Sequence, residues 1–308
     1  MGARVKRGHS SSHRRGTKQE TEPVGVARRL PRPLNGENPA PNAGVLLGTV
    51  DSKCKHAMVT ATFRFYGGLN SFLPRARRQR DFDVMCARAA TTKHMIEALG
   101  VPHTEVELVL VNGGAARFDH LLKCGDRVAV YPKFESLDIT QPLRLYEPSP
   151  CVRRFIADAH LGGLARLLRM AGFDTLYDNH ADDGVLAALA EKEVRTLLTR
   201  DRELLKRRNV AHGCYVRALK SSLQLKEIFE RLDLAGSAHP FTRCLKCNAL
   251  LRTVDKALVE ERLPPNVRAH SHRFSTCDLC QRVFWDGSHW RSMQALLAKL
   301  MEGCEPSE

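Results

Sequence analysis

The chain has 308 residues, enough for two or three domains of ordinary size. Hydrophobic residues make up 43% of it and its formal net charge is +14 at pH 7, so the chain is apolar enough to form cores and basic enough to favour an anionic partner, with nucleic acid first. No run approaches the roughly 20 apolar residues of a membrane span, and the first residues lack the apolar stretch of a secretory signal. A cytoplasmic location without a membrane partner is therefore expected.

The first part of the chain divides into a tail and a small domain. Residues 1–57 are rich in Arg, Ser, Pro, Gly and Asn without apolar periodicity, which predicts a disordered basic tail. Alternating apolar residues then predict strands over 61–66, 81–87, 105–111 and 127–131, with a helix over 92–99. The turn signal Asn112-Gly113-Gly114 follows the third strand. This order of elements predicts an α+β fold of the β-grasp type for residues 58–140.

The second part alternates strands and helices. Three prolines fall within residues 141–151, which marks 141–152 as a linker. Strands are predicted over 153–157, 173–177 and 194–199, and apolar residues at helical spacing predict helices beginning near Leu161, Val185, Glu203 and Ser222. Such alternation is typical of an α/β fold with a parallel sheet, here over residues 153–235. Residues 240–303 change to short strands around cysteines, closed by a helix over 292–301.

Acidic residues follow three successive predicted strands: Asp158, Asp183 and Asp201. Because the carboxyl ends of parallel strands meet at one edge of a sheet, these side chains are expected to converge there. Carboxylate oxygens suit a hard cation such as Mg²⁺ or Mn²⁺, which activates a bound water and stabilises an in-line phosphoryl transition state. Asp183 and Asp201 also precede helices, so N-capping alone is the competing interpretation for both.

Basic residues lie near these acids in the sequence. Arg169, Arg200 and Arg202 are candidate contacts for an RNA phosphate backbone. A solvated helix face is the alternative explanation for the same residues. His160 follows Asp158 by two positions, and a surface histidine without a catalytic role is expected there.

The cysteines of the last segment occur in two C-x-x-C pairs, Cys244 with Cys247 and Cys277 with Cys280. Four thiolates from two such pairs suit a tetrahedral Zn²⁺, which predicts a zinc ribbon with a long inner loop. A redox pair, an iron–sulfur cluster and free thiols are the alternatives. The ribbon is expected either to brace the fold or to contact RNA through Trp285 or Trp290.

Several of these motifs resemble one known family. The run from Phe155 to Asp174, with 183–190 and 197–202, resembles the Mut-seven C-terminal ribonuclease family, a branch of the PIN-like nucleases. The resemblance continues through the first cysteine pair and residues 284–289, so it covers about residues 153–300. It implies a PIN-like α/β nuclease domain with an attached β-rich zinc ribbon.

The same resemblance implies roles for individual residues. Asp158, Asp183 and Asp201 match the metal-binding acids of the family, with Asp182 as an adjacent competitor for the second position. Many PIN domains carry a fourth acid after the third, and Glu203 is the nearby candidate here. The implied function is a ribonuclease that hydrolyses RNA with Mg or Mn and carries a structural Zn. A non-catalytic RNA-binding module is the alternative, and the presence of all three acids argues against it.

The N-terminal domain also has a family resemblance. Residues 61–139 are similar to the ubiquitin-like domain often fused before this nuclease, through stretches such as 63–66, 96–106 and 125–132. Sulfur carriers of this fold end in a free Gly-Gly, whereas here the chain continues past Tyr131 and Gly113-Gly114 is internal. Carrier chemistry is therefore not expected, and the domain is expected to dock RNA, a partner or the nuclease domain.

Overall fold

The computed structural model describes residues 58–132 and 153–302. The predicted tail, 1–57, and the predicted linker, 141–152, fall outside the described residues. Within the two described ranges, the helices are all too short or too polar to cross a membrane.

The N-terminal sheet domain comprises residues 58–132. Its strands are β1 Met58–Phe65, β2 Phe82–Ala87, β3 Val106–Val111, β4 Gly114–Ala116 and β5 Arg127–Pro132, and its helix is α1 Thr92–Ala98. The strand order is β2-β1-β5-β3-β4, with β1 parallel to β5 at the centre. Alternation along β1 turns Phe63 and Phe65 inward, where they share a core with Ile96 of α1. Among the strands of this domain, β4 is the one that was not predicted from the sequence, because its three residues show no apolar pattern.

The parallel-sheet domain comprises residues 153–237. Its strands are β6 Arg154–Ala157, β7 Asp174–Tyr177, β8 Thr196–Thr199 and β9 Gly213–Tyr215, and its helices are α2 Gly162–Met170, α3 Asp183–Lys192, α4 Arg202–Leu205 and α5 Ser221–Arg231. All strand pairs are parallel, in the order β7-β6-β8-β9. Every residue of β8 is buried, as expected for a parallel strand covered by helices on both faces.

The cysteine module comprises residues 242–302. Its strands β10 Arg252–Val254, β11 Phe274–Thr276 and β12 Val283–Trp285 form an antiparallel sheet, and its helices are α6 Pro265–His270 and α7 Ser288–Glu302. A small core of its own contains Val254, Val259, Leu263 and Phe274. Leu297 of α7 instead packs into the larger core of the parallel-sheet domain, so the closing helix attaches the module to that domain.

The N-terminal sheet domain contacts the free edge of β9. Glu105, in the turn before β3, is only 3% exposed. Its carboxylate accepts hydrogen bonds from Tyr215 N at 2.7 Å, Arg217 Nη2 at 3.0 Å and Arg231 Nη2 at 2.8 Å. One backbone N–H of an edge strand is thereby paired by a side chain of another domain, which protects an edge that would otherwise be open.

Candidate active site and metal centre

The order of the parallel strands defines a crevice at one edge of the sheet. The chain leaves β6 toward β7 on one side and then returns to add β8 on the other side of β6. In open α/β sheets, ligands bind at such a topological switch point, outside the carboxyl ends of the two strands. Asp158 directly follows β6, and Asp201 comes two residues after β8. Two of the three predicted acids therefore flank the switch point.

The hydroxyl of Thr199 joins these two acids. It donates a hydrogen bond to Asp158 Oδ2 at 2.6 Å and accepts one from the backbone N–H of Asp201 at 2.9 Å. Asp158 is 7% exposed and Thr199 is fully buried, so the carboxylate is held in one orientation by a donor that solvent does not reach. Thr199 was not predicted as a site residue, although its place at the end of a strand, two residues before Asp201, is visible in the sequence.

The segment after Asp158 is fixed by a close contact. The hydroxyl of Tyr177, the last residue of β7, donates to the carbonyl of Ala159 at 3.0 Å. A Cβ atom on Gly162 would lie 2.6 Å from that hydroxyl oxygen. Glycine at this position therefore allows the turn after β6 to pack against the end of β7, and this contact sets where the backbone of Asp158 lies.

Asp201 has a second role as a helix cap. Its Oδ1 accepts hydrogen bonds from the backbone N–H groups of Glu203 at 2.7 Å and Leu204 at 3.5 Å. The capping interpretation is thus confirmed for Asp201, and its carboxylate faces the first turn of α4. This bond does not exclude a ligand role, since a carboxylate offers more lone pairs than one cap uses.

Asp183 is partly exposed, in contrast to the buried Asp158. It is the first residue of α3, its side chain is 47% exposed, and its nearest cation is Arg207 at 3.8 Å. Asp182 is the cap residue of α3 but makes no side-chain capping bond. The three aspartates do not form a closed group. Within the described ranges, the cysteines of the module are the one set of three or more potential ligands whose donor atoms all lie within 4.8 Å of one another.

The strand register adds a fourth acid at this edge. Ala157 pairs with Tyr177 in the parallel β6–β7 ladder, so the residues that follow them, Asp158 and Asp178, leave adjacent strands at the same level. Asp178 is exposed, and its Oδ1 accepts from the backbone N–H of His180 at 2.9 Å. The sequence predicts the acid of the next helix, Asp183, instead, because the register of the strands is not visible in the sequence.

The predicted phosphate-binding arginines have different environments. Arg169 is 6% exposed, and it donates to the carbonyls of Thr175 at 2.8 Å, Leu245 at 3.2 Å and Lys246 at 2.9 Å. The prediction that Arg169 binds substrate is wrong, because its guanidinium is buried and bound to the main chain. Sequence proximity to Asp158 placed it near the acids, whereas it lies at the far end of α2.

The other two arginines lie at the edge that carries the acids. Arg200 is exposed between Thr199 and Asp201. Arg202 is half-buried, donates from Nη1 to the carbonyl of Phe72 at 3.1 Å, and places its guanidinium 5.0 Å from the centroid of the Phe72 ring. A residue of the N-terminal sheet domain therefore holds Arg202 next to Asp201.

The four cysteines come together on two similar turns. The Sγ atoms of Cys244 and Cys280 are 3.5 Å apart, and those of Cys247 and Cys277 are 3.3 Å apart. In each turn the carbonyl of the first cysteine accepts from the backbone N–H four residues later, that of Asn248 at 3.0 Å and of Gln281 at 2.8 Å. Asn248 and Gln281 have left-handed backbone conformations, with φ of 69° and 58°. The repeated turn presents four thiol groups to one point, as tetrahedral Zn²⁺ requires.

The first of these turns is fastened to the start of β7. Asn248 accepts from Thr175 N at 3.0 Å with its side-chain oxygen and donates to Asp174 Oδ1 at 2.7 Å. Burial acts to raise the pKa of Asp174, but hydrogen bonds from Arg195 and Asn248 outweigh it and hold that pKa at about 2. The cysteine module thus joins the amino-terminal edge of the sheet, whereas the acids lie at the carboxyl-terminal edge.

Comparisons with known proteins agree with this architecture. Residues 58–138 match the family model described as Mut7-C ubiquitin, and residues 153–297 match the one described as Mut7-C RNAse domain. The first match, with the sheet order of residues 58–132, confirms the predicted ubiquitin-like domain. No curated protein matches the chain.

Two solved structures resemble a quarter of the chain. The small archaeal modifier protein 1 of H. volcanii is 21% identical over 25% of this chain and 99% of its own, with a TM-score of 0.21. A structure of SAMP1 from Haloferax volcanii is 18% identical over 25% of this chain and 98% of its own, with a TM-score of 0.20.

Proposed function

Because this chain carries a Mut7-C ubiquitin domain followed by a Mut7-C RNAse domain, we propose that it is a metal-dependent ribonuclease of PIN-like fold. The observation that carries the proposal is the placement of Asp158 and Asp201 on either side of the switch point, joined through Thr199. Such an edge is where open α/β sheets bind ligands, and RNA is the substrate that the family name and the basic composition both favour.

The donor set at this edge fits a hard divalent cation. Asp158, Asp183 and Asp201 supply only oxygen atoms, which Mg²⁺ and Mn²⁺ prefer over nitrogen and sulfur. When bound, such an ion lowers the pKa of a coordinated water and offsets charge on the scissile phosphate. Thr199 orients the Asp158 carboxylate, and Asp178 provides a further carboxylate at the same edge. Arg200 and Arg202 flank Asp201 in the chain, and their guanidinium groups suit phosphate oxygens.

Cation addition tests this proposal directly. We expect the purified chain to cut an end-labelled single-stranded RNA of about 20 nucleotides only after Mg²⁺ or Mn²⁺ is added, since the acids alone lack an activated water. Residual cations are removed by gel filtration rather than by a strong chelator, and zinc content is measured before and after, so that the cysteine module stays unchanged. Equal cutting with and without added cation would contradict a metal-dependent mechanism.

One observation favours a second function, binding of RNA without cleavage. The three aspartates do not form a closed ligand group, and Asp201 already serves as a cap. If these features describe a degenerate site, the chain binds the labelled RNA but leaves it intact at every cation concentration. Cleavage and binding are measured in the same titration, so the two functions are separated by one experiment.

We further propose that the four cysteines hold a structural Zn²⁺ which braces the parallel sheet. Replacing Cys247 by serine is expected to remove zinc from the protein and to loosen the Asn248 turn. The backbone amide of Thr175, which donates to Asn248, then exchanges its hydrogen faster. Zinc analysis and hydrogen exchange at Thr175 measure both effects. Leu279→Ser, at a 72% exposed position within the second turn, is the matched control and should leave zinc content and exchange unchanged. Loss of zinc with no change at Thr175 would rule out bracing.

A further inference from the structure

The cysteine module contains a cavity that the proposed catalytic site does not use. Its volume is about 710 Å³, within the range of roughly 300–1,000 Å³ found for ligand pockets. One wall is the face of the three-stranded sheet that carries Thr253, Ser275 and Phe284, which are paired neighbours across β10, β11 and β12. Phe241 and Trp290 also line the cavity. The cavity is thus a space between a sheet and the start of α7.

Aromatic side chains form a large part of the lining of this cavity. Phe241 and Trp290 have ring centroids 5.0 Å apart at an angle of 35°, and Phe284 lies on β12. Phe284 and Trp290 are half-buried and belong to none of the apolar clusters found in the described residues. Flat aromatic ligands can stack on half-buried rings of this kind.

The charged lining consists of three cationic side chains, Arg243, Lys256 and Arg273, and two carboxylates, Asp255 and Asp286. The cations outnumber the acids, which suits a nucleotide better than a neutral peptide. The hydroxyls of Thr253 and Ser275 lie on the sheet wall, where they can bond to the edge of a base. Lys256 and Arg273 also line the cavity, and neither pairs with an acid in the part of the chain that the structure describes. Both are suited to phosphate groups on either side of a bound base. An amphipathic helix would need a continuous apolar groove instead.

We propose that this cavity binds one unstacked base of single-stranded RNA, away from the site of cleavage. This inference rests on the proposed function, because it takes RNA as the substrate. Single-stranded RNA is recognised through splayed bases that stack on aromatic side chains. Arg243 and Leu245 line the cavity, and both belong to the segment around the first cysteine turn, which is bonded to the start of β7. The cavity therefore lies toward the amino-terminal edge of the sheet. Four strand residues, about 13 Å of chain, separate that edge from the acids.

Binding measurements test the inference in the full chain. We use Asp158→Asn protein, so that RNA is not cut, and measure fluorescence anisotropy with a labelled single-stranded RNA of about 20 nucleotides. Trp290→Ala and Phe284→Ala are each expected to weaken binding by about 5- to 100-fold, the range that corresponds to losing one base–aromatic stack. Leu258→Ala, at a 71% exposed position of the same module that does not line the cavity, should leave the dissociation constant unchanged. Zinc content and the unfolding midpoint of each variant establish that the module is folded.

A second measurement uses substrate length. In protein with Asp158 intact, Trp290→Ala should raise KM for the long RNA without lowering kcat. It should not change cleavage of a dinucleotide, which at about 3.4 Å per nucleotide is too short to reach both sites. Unchanged affinity in both aromatic variants overturns the inference while leaving the proposed ribonuclease intact. The inference is also overturned if Leu258→Ala weakens RNA binding as much as the aromatic variants do. It is overturned as well if free nucleoside monophosphates bind tightly while the aromatic variants keep full affinity for RNA. RNA that binds to no form of the protein overturns the proposed function itself.

Discussion

Replacing Asp158 by asparagine should reduce RNA cleavage by more than about 100-fold while the protein stays folded. The loss should exceed the 10- to 100-fold typical of residues that only support metal ligands, because Asp158 is proposed as a ligand itself. Asparagine has nearly the same shape, and its side-chain oxygen can still accept the hydrogen bond from Thr199. The change therefore removes a charge without opening a cavity. Initial rates at saturating RNA and cation, with the thermal midpoint recorded in parallel, measure the effect.

Controls for this substitution separate charge from structure. Glu191→Gln removes an exposed charge from α3 on the same domain and should leave the rate unchanged. Thr199→Val keeps the carboxylate but removes the hydroxyl that orients it, so an intermediate loss of about 10- to 100-fold is expected. If the Asp158→Asn protein keeps full activity, the carboxylate of Asp158 takes no part in cleavage, and the proposed active site is wrong.

Asp201→Asn distinguishes the two roles of the third acid. Asparagine is as good an N-cap residue as aspartate, so the bonds to the backbone of Glu203 and Leu204 persist and α4 keeps its start. Cleavage should nevertheless fall by a factor similar to that of Asp158→Asn, because only the charge is lost. If cleavage continues at the parental rate, Asp201 is a cap and nothing more.

The fold was largely predictable because its patterns are local. Alternation along β1, the helical spacing of Leu164 and Leu168, and the left-handed Gly172 after α2 each act within a few residues of the chain. The pattern of the cysteine pairs is also local, because the C-x-x-C spacing alone predicts that each pair forms the same kind of turn. Strand β9 was missed because Gly213–Tyr215 is too short to show a period. Its position comes from neighbours far away in the sequence, including Glu105.

The site was predictable in part for a related reason. Chain order places Asp158 and Asp201 after strands, and that is sufficient to bring both to one edge. Chain order does not reveal the register between strands or the burial of side chains. Register brings Asp178 to the level of Asp158, and burial turns Arg169 away from substrate toward three carbonyl groups. Register and burial both depend on contacts between residues that are far apart in the sequence.

Glu105→Ala should lower the free energy of unfolding of the full chain by about 3–5 kcal/mol, because it removes one partner of a buried ion pair. The Glu105 side chain is 2% exposed and meets Arg231, 20% exposed, at 2.8 Å. Without it, the backbone N–H of Tyr215 and the guanidinium of Arg231 lose an acceptor, and buried donors without partners are costly. Urea unfolding monitored by circular dichroism measures the change.

The same substitution tests whether the ubiquitin-like domain supports the candidate active site. If it is a fixed part of the fold, the substitution weakens the attachment to β9, and Arg202, held by Phe72 of that domain, becomes less ordered beside Asp201. Cleavage should then fall through KM more than through kcat, because Arg202 is proposed to bind phosphate rather than to activate water. Glu230→Ala removes an exposed charge of α5 whose ion pair within residues 58–132 and 153–302 is with Lys226, and it should cost less than about 0.5 kcal/mol. Equal stability of the Glu105 and Glu230 variants would mean that the two domains fold independently and that the contact at β9 does not stabilise the parallel-sheet domain.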